Sequence, residues 1–237
     1  MLGLRKGDVA PYVLSPGVPR RLKTILKYVS NPRLILEFLL MKAYNGEVEG
    51  IPVTVASTGV GSPDSSAAVE LYFAAGGEYL IRIGSAGALR EDMEIGDLII
   101  VTGAVRGEGT SRYYAPPEFP AVPDPMVTGA LVEAAERLDI PYQLGLVWTT
   151  DAIFRETPRR VSLWRSLNVK CVDMICSSIF VVSQVLGKRA GAILAISDNV
   201  ATGELGFHSQ RFHDAEDRAV RVALEAVKIL NGRLKLS

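Results

Sequence analysis

The sequence predicts an α/β fold: one three-layer α/β/α domain over residues 1–237, built on a central mixed sheet. Three observations predict it. Short apolar runs alternate with amphipathic stretches along the whole chain, the pattern of strands interleaved with helices. Several runs (LIRI, LIIV, AILAIS) are nearly continuous β-formers, as expected of strands covered on both faces. Finally, 48% of the 237 residues are hydrophobic and 22% charged, enough apolar material for one large core and too much for a disordered chain.

In chain order, strands are expected at 12–14, 51–57, 79–84, 97–102, 143–149 and 190–197. Helices are expected at 63–75, 125–138, 173–186 and 209–230, where apolar residues recur every three or four positions. For the first helix, Ser62 offers a capping hydroxyl and Pro63 a first-turn residue that needs no N–H. The stretch 103–125, rich in Gly, Pro, Tyr and Arg, reads as a long surface loop. No internal repeat or interdomain linker is evident.

Composition excludes several classes of function. Lys plus Arg number 26 and Asp plus Glu 26, so no net field draws the chain to nucleic acid or an anionic membrane. No apolar run nears the ~20 residues of a membrane span, and MLGLRKGDV lacks a signal peptide's apolar core; a cytoplasmic location is expected. Cys171 and Cys176 have neither CxxC nor zinc spacing and read as reduced, buried thiols. His208 and His213 share no helical face and have no companion ligands, so no metal is expected.

Four segments carry residue types suited to chemistry. In SPGVPRR, a short strand gives way through Gly17 to a helix start with Arg20 and Arg21, a candidate anion site. STGVGSPD is a strand–loop–helix junction, but Asp64 replaces the third glycine of a dinucleotide fingerprint, so a Rossmann cofactor site is not expected. In YLIRIGSAG, Arg82 sits inside an apolar strand, where its charge needs a bound oxyanion or a buried carboxylate; Ser85 could serve the same anion. In AISDN, an apolar strand ends on Asp198, at the end of a sheet where ligands gather, with helix capping as the plainer role.

Together these segments resemble the family of trimeric and hexameric nucleoside phosphorylases, which includes purine nucleoside, uridine and methylthioadenosine phosphorylases. PGVPRR is similar to the family's PGDPxR, STGVGSPDSSAAVEL to TGxGxPSxxIxxEEL, and RIGSAGAL to R-[IV]-G-[ST]-x-G. WTTDAIF stands where the family has SDxFY, VDMICSS where it has VEMExA, and ISDN where its purine branch has VSDN. The resemblance covers nearly the whole chain. It implies phosphorolysis of a nucleoside, purine in preference, with inorganic phosphate as co-substrate and no cofactor. It further implies phosphate binding by Gly17, Arg21, Arg82 and Ser85, and nucleoside contacts from Ala86, Gly87, Ile153, Phe154, Asp173, Met174 and Ile175. Asp198, assisted by Arg211, would protonate the purine at N7. Arg159, in Thr157-Pro158-Arg159, stands where the uridine branch reads uracil, so a uridine phosphorylase is the alternative.

The chain departs from the family at four positions. Val18 replaces the aspartate of PGDPxR, and Ile175 replaces the glutamate that grips the ribose hydroxyls, removing two hydrogen bonds. Ile35, with Arg33 nearby, holds the place of an arginine lent by a neighbouring subunit, and Met1 that of a lent histidine. A non-catalytic nucleoside- or base-binding homologue follows from these losses as a further alternative. A nucleosidase would be expected to lack Arg21. Assembly as a homo-oligomer, dimers grouped into a hexamer, is implied by the resemblance.

Overall fold

The computed structural model describes residues 2–235; Met1 lies outside them. Ten strands follow in order: β1 (Tyr12–Ser15), β2 (Ser30–Phe38), β3 (Met41–Val48), β4 (Ile51–Ala56), β5 (Tyr79–Ala88), β6 (Leu98–Gly107), β7 (Gln143–Thr150), β8 (Val169–Asp173), β9 (Arg189–Asn199) and β10 (Glu204–Leu205). The helices are α1 (Leu22–Leu26), α2 (Ser62–Ala74), α3 (Pro125–Arg137), α4 (Pro158–Ser166), α5 (Cys176–Val185) and α6 (Gln210–Leu234). No helix among the described residues is long and apolar enough to cross a membrane.

The sheet is mixed, as expected, with strands in the order β10-β9-β6-β7-β8-β5-β1-β4-β3-β2, and β9 also pairs with β5. Strands β5, β9, β6, β7 and β8 therefore close a circuit of pairings. Side chains alternate along β5: Tyr79, Ile81 and Ile83 join the core formed with α1, α3 and α6, while Leu80 joins the core formed with α2 and α5. Helices thus cover both faces, giving the three layers.

One feature of the pairing positions the site. Along one edge of β5, β1 pairs in parallel from Tyr79 to Arg82, and β8 pairs antiparallel at Gly87 and Ala88. Between Arg82 and Gly87 that edge carries neither neighbour. Both strands deliver their C-terminal ends to the gap, the kind of crevice where open α/β sheets bind ligands.

Local structure departs from expectation at several points, each for a physical reason. Strand 97–102 continues through Gly107, so the predicted loop is shorter. Its remainder is drawn in by Arg106, which donates to the carbonyls of Ala115 and Phe119 (2.9 and 2.7 Å). Asp173 ends β8 instead of opening a helix, and its carboxylate accepts from the amides of Ile175 and Cys176 (3.2 and 3.0 Å). Gly61, not Ser62, takes the cap position of α2; the Ser62 hydroxyl instead donates to the Met174 carbonyl (2.9 Å). The hairpin β2–β3 and helix α4 were not expected. Only Leu36 of β2 and Val161 of α4 are buried, so neither element writes a clear apolar period.

Candidate active site

The gap beside β5 opens into a cavity of about 230 Å³. Of the residues expected at the site, Gly17, Arg21, Arg82, Ser85, Ala86, Gly87, Ile153, Asp173, Met174, Ile175 and Asp198 line it. Arg211, Phe154 and Arg159 do not.

Two glycine-bearing loops form one side. The Thr58 and Gly59 amides donate to the Pro16 and Gly17 carbonyls (3.1 and 2.8 Å), clasping the loop after β1 to the loop after β4. Gly59 has φ +86°, and a Cβ there would meet the Cβ of Asp64 at 2.4 Å.

Arg21 ends the 3-10 turn Pro19–Arg21 that follows the first loop. Its Nη1 donates to the Ser85 hydroxyl (3.1 Å), its Nε pairs with Glu216 on α6 (2.8 Å), and its guanidinium lies over the Phe212 ring. Burial lowers its pKa; Glu216 opposes the shift and the like charge of Arg82 adds to it. The two guanidinium groups, 61 positions apart in sequence, therefore stand close enough to repel.

Of the two partners open to it from sequence, Arg82 has the buried carboxylate. Its Nη2 pairs with Asp173 (3.1 Å), its Nε donates to the Cys176 sulfur (3.3 Å), and the side chain still borders the cavity. Asp173 is fully engaged: Thr149 donates to Oδ1 (2.8 Å), and Arg82 with two backbone amides occupies Oδ2. Asp173 therefore orients Arg82 and caps α5, and has no free lone pair directed at a sugar. Burial pushes the thiols of Cys171 and Cys176 up, so both stay protonated near neutrality.

At the far end of this β5 segment stands Asp198. The Ser197 hydroxyl donates to Oδ1 (2.7 Å), and Oδ2 lies against Gly87, where a Cβ would stand 2.9 Å away. Burial raises the Asp198 pKa and the Ser197 hydrogen bond opposes the rise. Beside it the sequence reading missed Glu156, whose carboxyl is pushed up to about 7, first by burial and then by the charge of Asp198. Phe207 and Val60 also line the cavity and were missed too. Glu156 lies in the polar stretch RETPRR, and nothing in its spacing distinguishes it from a solvated carboxylate.

Three expectations are corrected. Arg211 is remote from Asp198: its side chain is exposed and pairs with Glu94 (3.4 Å) in a separate groove. The reason is helical phase, since on α6 it is the neighbouring Phe212 that turns into the core. Phe154 is 96% exposed, because the 3-10 turn Ile153–Arg155 directs Ile153 to the cavity and Phe154 away from it. Arg159 is exposed in the first turn of α4, clear of the cavity.

The chain matches known proteins over nearly its full length. The family model described as the phosphorylase superfamily matches residues 11–230. A uridine phosphorylase of Thermococcus kodakarensis is 37% identical over 242 residues, covering 97% of this chain and 85% of that protein. A uridine phosphorylase of Treponema pallidum is 36% identical over 240 residues, covering 97% and 93%. A guanosine phosphorylase of Halorubrum lacusprofundi is 34% identical over 233 residues, covering 96% and 97%. In three dimensions, the uridine phosphorylase of Vibrio fischeri crystallised with 6-hydroxy-1-naphthoic acid superposes with a TM-score of 0.88 at 28% identity, over 94% of this chain and 93% of that one. The chain belongs to the phosphorylase superfamily.

Proposed function

We propose that this protein is a nucleoside phosphorylase, which transfers the pentosyl group of a nucleoside to inorganic phosphate and releases the base. The observation that carries the reading is the convergence of Arg21, Arg82 and Ser85 on one end of a cavity whose other end is carboxylic. The Arg82 guanidinium lies over Gly84, and three residue steps of β5, ~10 Å of strand, separate Gly84 from the Gly87 that abuts Asp198. Phosphate, sugar and base can be strung along that length.

The geometry suggests how the reaction proceeds. Phosphate lies between the two guanidinium groups, which donate in parallel to its oxygens and relieve their mutual repulsion. The anion sits below C1′ and stabilises the positive charge that grows on the sugar as the glycosidic bond lengthens. Met174 packs on the sugar. Ile153, Phe207, Gly87 and Asp198 surround the base, with Asp198 placed to share a proton with it. Ile175 and the fully engaged Asp173 offer the sugar hydroxyls no free carboxylate. We therefore expect 2′-deoxynucleosides to be used about as well as ribonucleosides, within roughly tenfold in kcat/KM.

For the base, the relatives named above favour uridine. A purine is the second reading, favoured by Asp198. Arg159, outside the cavity, does not serve either one. The co-substrate is inorganic phosphate, with no cofactor. Assembly into dimers and hexamers is supported by the exposed Leu34, Phe38, Leu39 and Leu40 on the β2–β3 hairpin, an apolar sheet edge of the kind that other chains cover. Light scattering tests the assembly.

The deciding experiment measures base release from uridine, guanosine and inosine with and without phosphate. Phosphate-dependent release, with KM for phosphate at least about tenfold higher in Arg21→Ala, is expected. Equal rates without phosphate would make the protein a nucleosidase. Tight binding without turnover would make it a binding protein.

A further inference from the structure

The 3-10 turn after β1 carries two consecutive arginines, and the fold uses them differently. Successive residues of such a turn stand about 120° apart around its axis, so Arg20 and Arg21 diverge. Arg21 turns inward to Ser85 and Glu216, its side chain only 17% exposed. Arg20 is exposed and also lines the cavity, which puts it at the rim beside Arg21. Its side chain makes no hydrogen bond or ion pair with any described residue.

We propose that Arg20 is a third phosphate-binding arginine, which covers the anion at the mouth of the cavity and supplies the site's uncompensated positive charge. The inference rests on the phosphorylase reading of the cavity.

The pairing of the other cations carries the argument. Arg21 is balanced by Glu216 (2.8 Å) and Arg82 by Asp173 (3.1 Å). Glu216 is not open to Arg20, since His213 lies against its second oxygen (3.3 Å). The inner guanidinium groups keep free N–H donors, on Nη2 of Arg21 and Nη1 of Arg82. Yet the two ion pairs together add no net charge. The other charged groups lining the cavity, Glu156 and Asp198, are acidic and stand at its opposite end.

Inorganic phosphate is anionic at neutral pH, and two neutral pairs attract it only through their dipoles. Among the described residues, Arg20 is the one cavity-lining cation free of a carboxylate. Its charge reaches the site, because Arg20 and Arg82 both disfavour the charged form of Arg21. An anion among the three guanidinium groups removes that repulsion. The inner oxygens of phosphate then accept from Arg21, Arg82 and Ser85, and the oxygen facing the mouth accepts from Arg20.

Arg20 is exposed and holds nothing in place, so its replacement leaves the fold intact. The test titrates the full-length protein with inorganic phosphate by calorimetry, without nucleoside. Arg20→Ala should bind about tenfold more weakly than wild type. Arg20→Lys, which keeps the charge, should bind within about threefold of wild type. Arg159→Ala, which removes an exposed arginine clear of the cavity, should bind as wild type does. In steady-state assays with uridine or guanosine, Arg20→Ala should raise KM for phosphate about tenfold and leave KM for the nucleoside unchanged. Arg20→Ala binding as tightly as wild type, or Arg20→Lys binding as weakly as Arg20→Ala, would overturn the proposal. So would an equal loss in Arg159→Ala, which would reduce the effect to the overall charge of the protein. If phosphate binds but no nucleoside is turned over, the phosphorylase reading fails on its own, and the titrations still decide the role of Arg20. A wild type that binds no phosphate overturns both.

Discussion

An added Cβ at Gly84 would stand 2.6 Å from Cζ of Arg82 and 2.7 Å from its Nη2. Pairing with Leu194 of β9 fixes Gly84 in β5, so the guanidinium is what must move. Gly84→Ala should raise KM for phosphate by tenfold or more while leaving the circular dichroism spectrum unchanged; steady-state kinetics at varied phosphate checks it. Glu156 carries a stability signature as well. Its folded pKa, about 7, lies above the ordinary 4.5, so the native state binds the extra proton between those values and stability declines as pH rises through them. Replacing it with glutamine removes that decline. Glu156→Gln should therefore gain in melting temperature relative to wild type at pH 8 and show little gain at pH 4, read by calorimetry at both pH values. At this scale the sequence was informative where a residue type was costly in its setting, as Arg82 is within an apolar strand. It was silent on Glu156, whose setting is polar in sequence and half-buried only in space.

Two helix starts show how similar residues differ in consequence. Asp124 caps α3 by accepting from the amides of Met126 and Val127 (2.9 and 3.1 Å), far from the cavity. Asp173 accepts amides at the start of α5 and also pairs with the buried Arg82. Asp124→Ala should cost about 1 kcal/mol in urea unfolding and leave activity intact. Asp173→Asn should cost about 3 kcal/mol or more, because it strands a buried guanidinium, and phosphate use should fall with it. The same measurements on both variants separate capping from charge pairing. Elements with a steady apolar period or a continuous β-forming run, such as β5, β9, α3 and α6, were legible in the sequence. The β2–β3 hairpin was not, since an edge strand exposed at eight of nine positions or only half-buried there has no buried face to impose a pattern.

For the molecule as a whole, ligand binding and folding share one equilibrium. If the cavity binds phosphate in its native form alone, phosphate at 100 times its dissociation constant should stabilise the fold by about 2.7 kcal/mol. The melting temperature should climb with phosphate, and Arg21→Ala should flatten that climb; an unchanged melting temperature in the wild type would count against an anion site. The sequence by itself determined the α/β class, the main strands and helices, and the residue types able to hold an anion and move a proton. These are properties of local pattern and of the cost of placing charge in apolar surroundings. Tertiary structure decided which of those residues meet. The divergence of β1 and β8 along one edge of β5 opened the cavity, helical phase sent Arg211 to another groove, and chain return after β7 set Glu156 beside Asp198. Such meetings depend on long-range strand order and helix rotation, which no local stretch of sequence encodes.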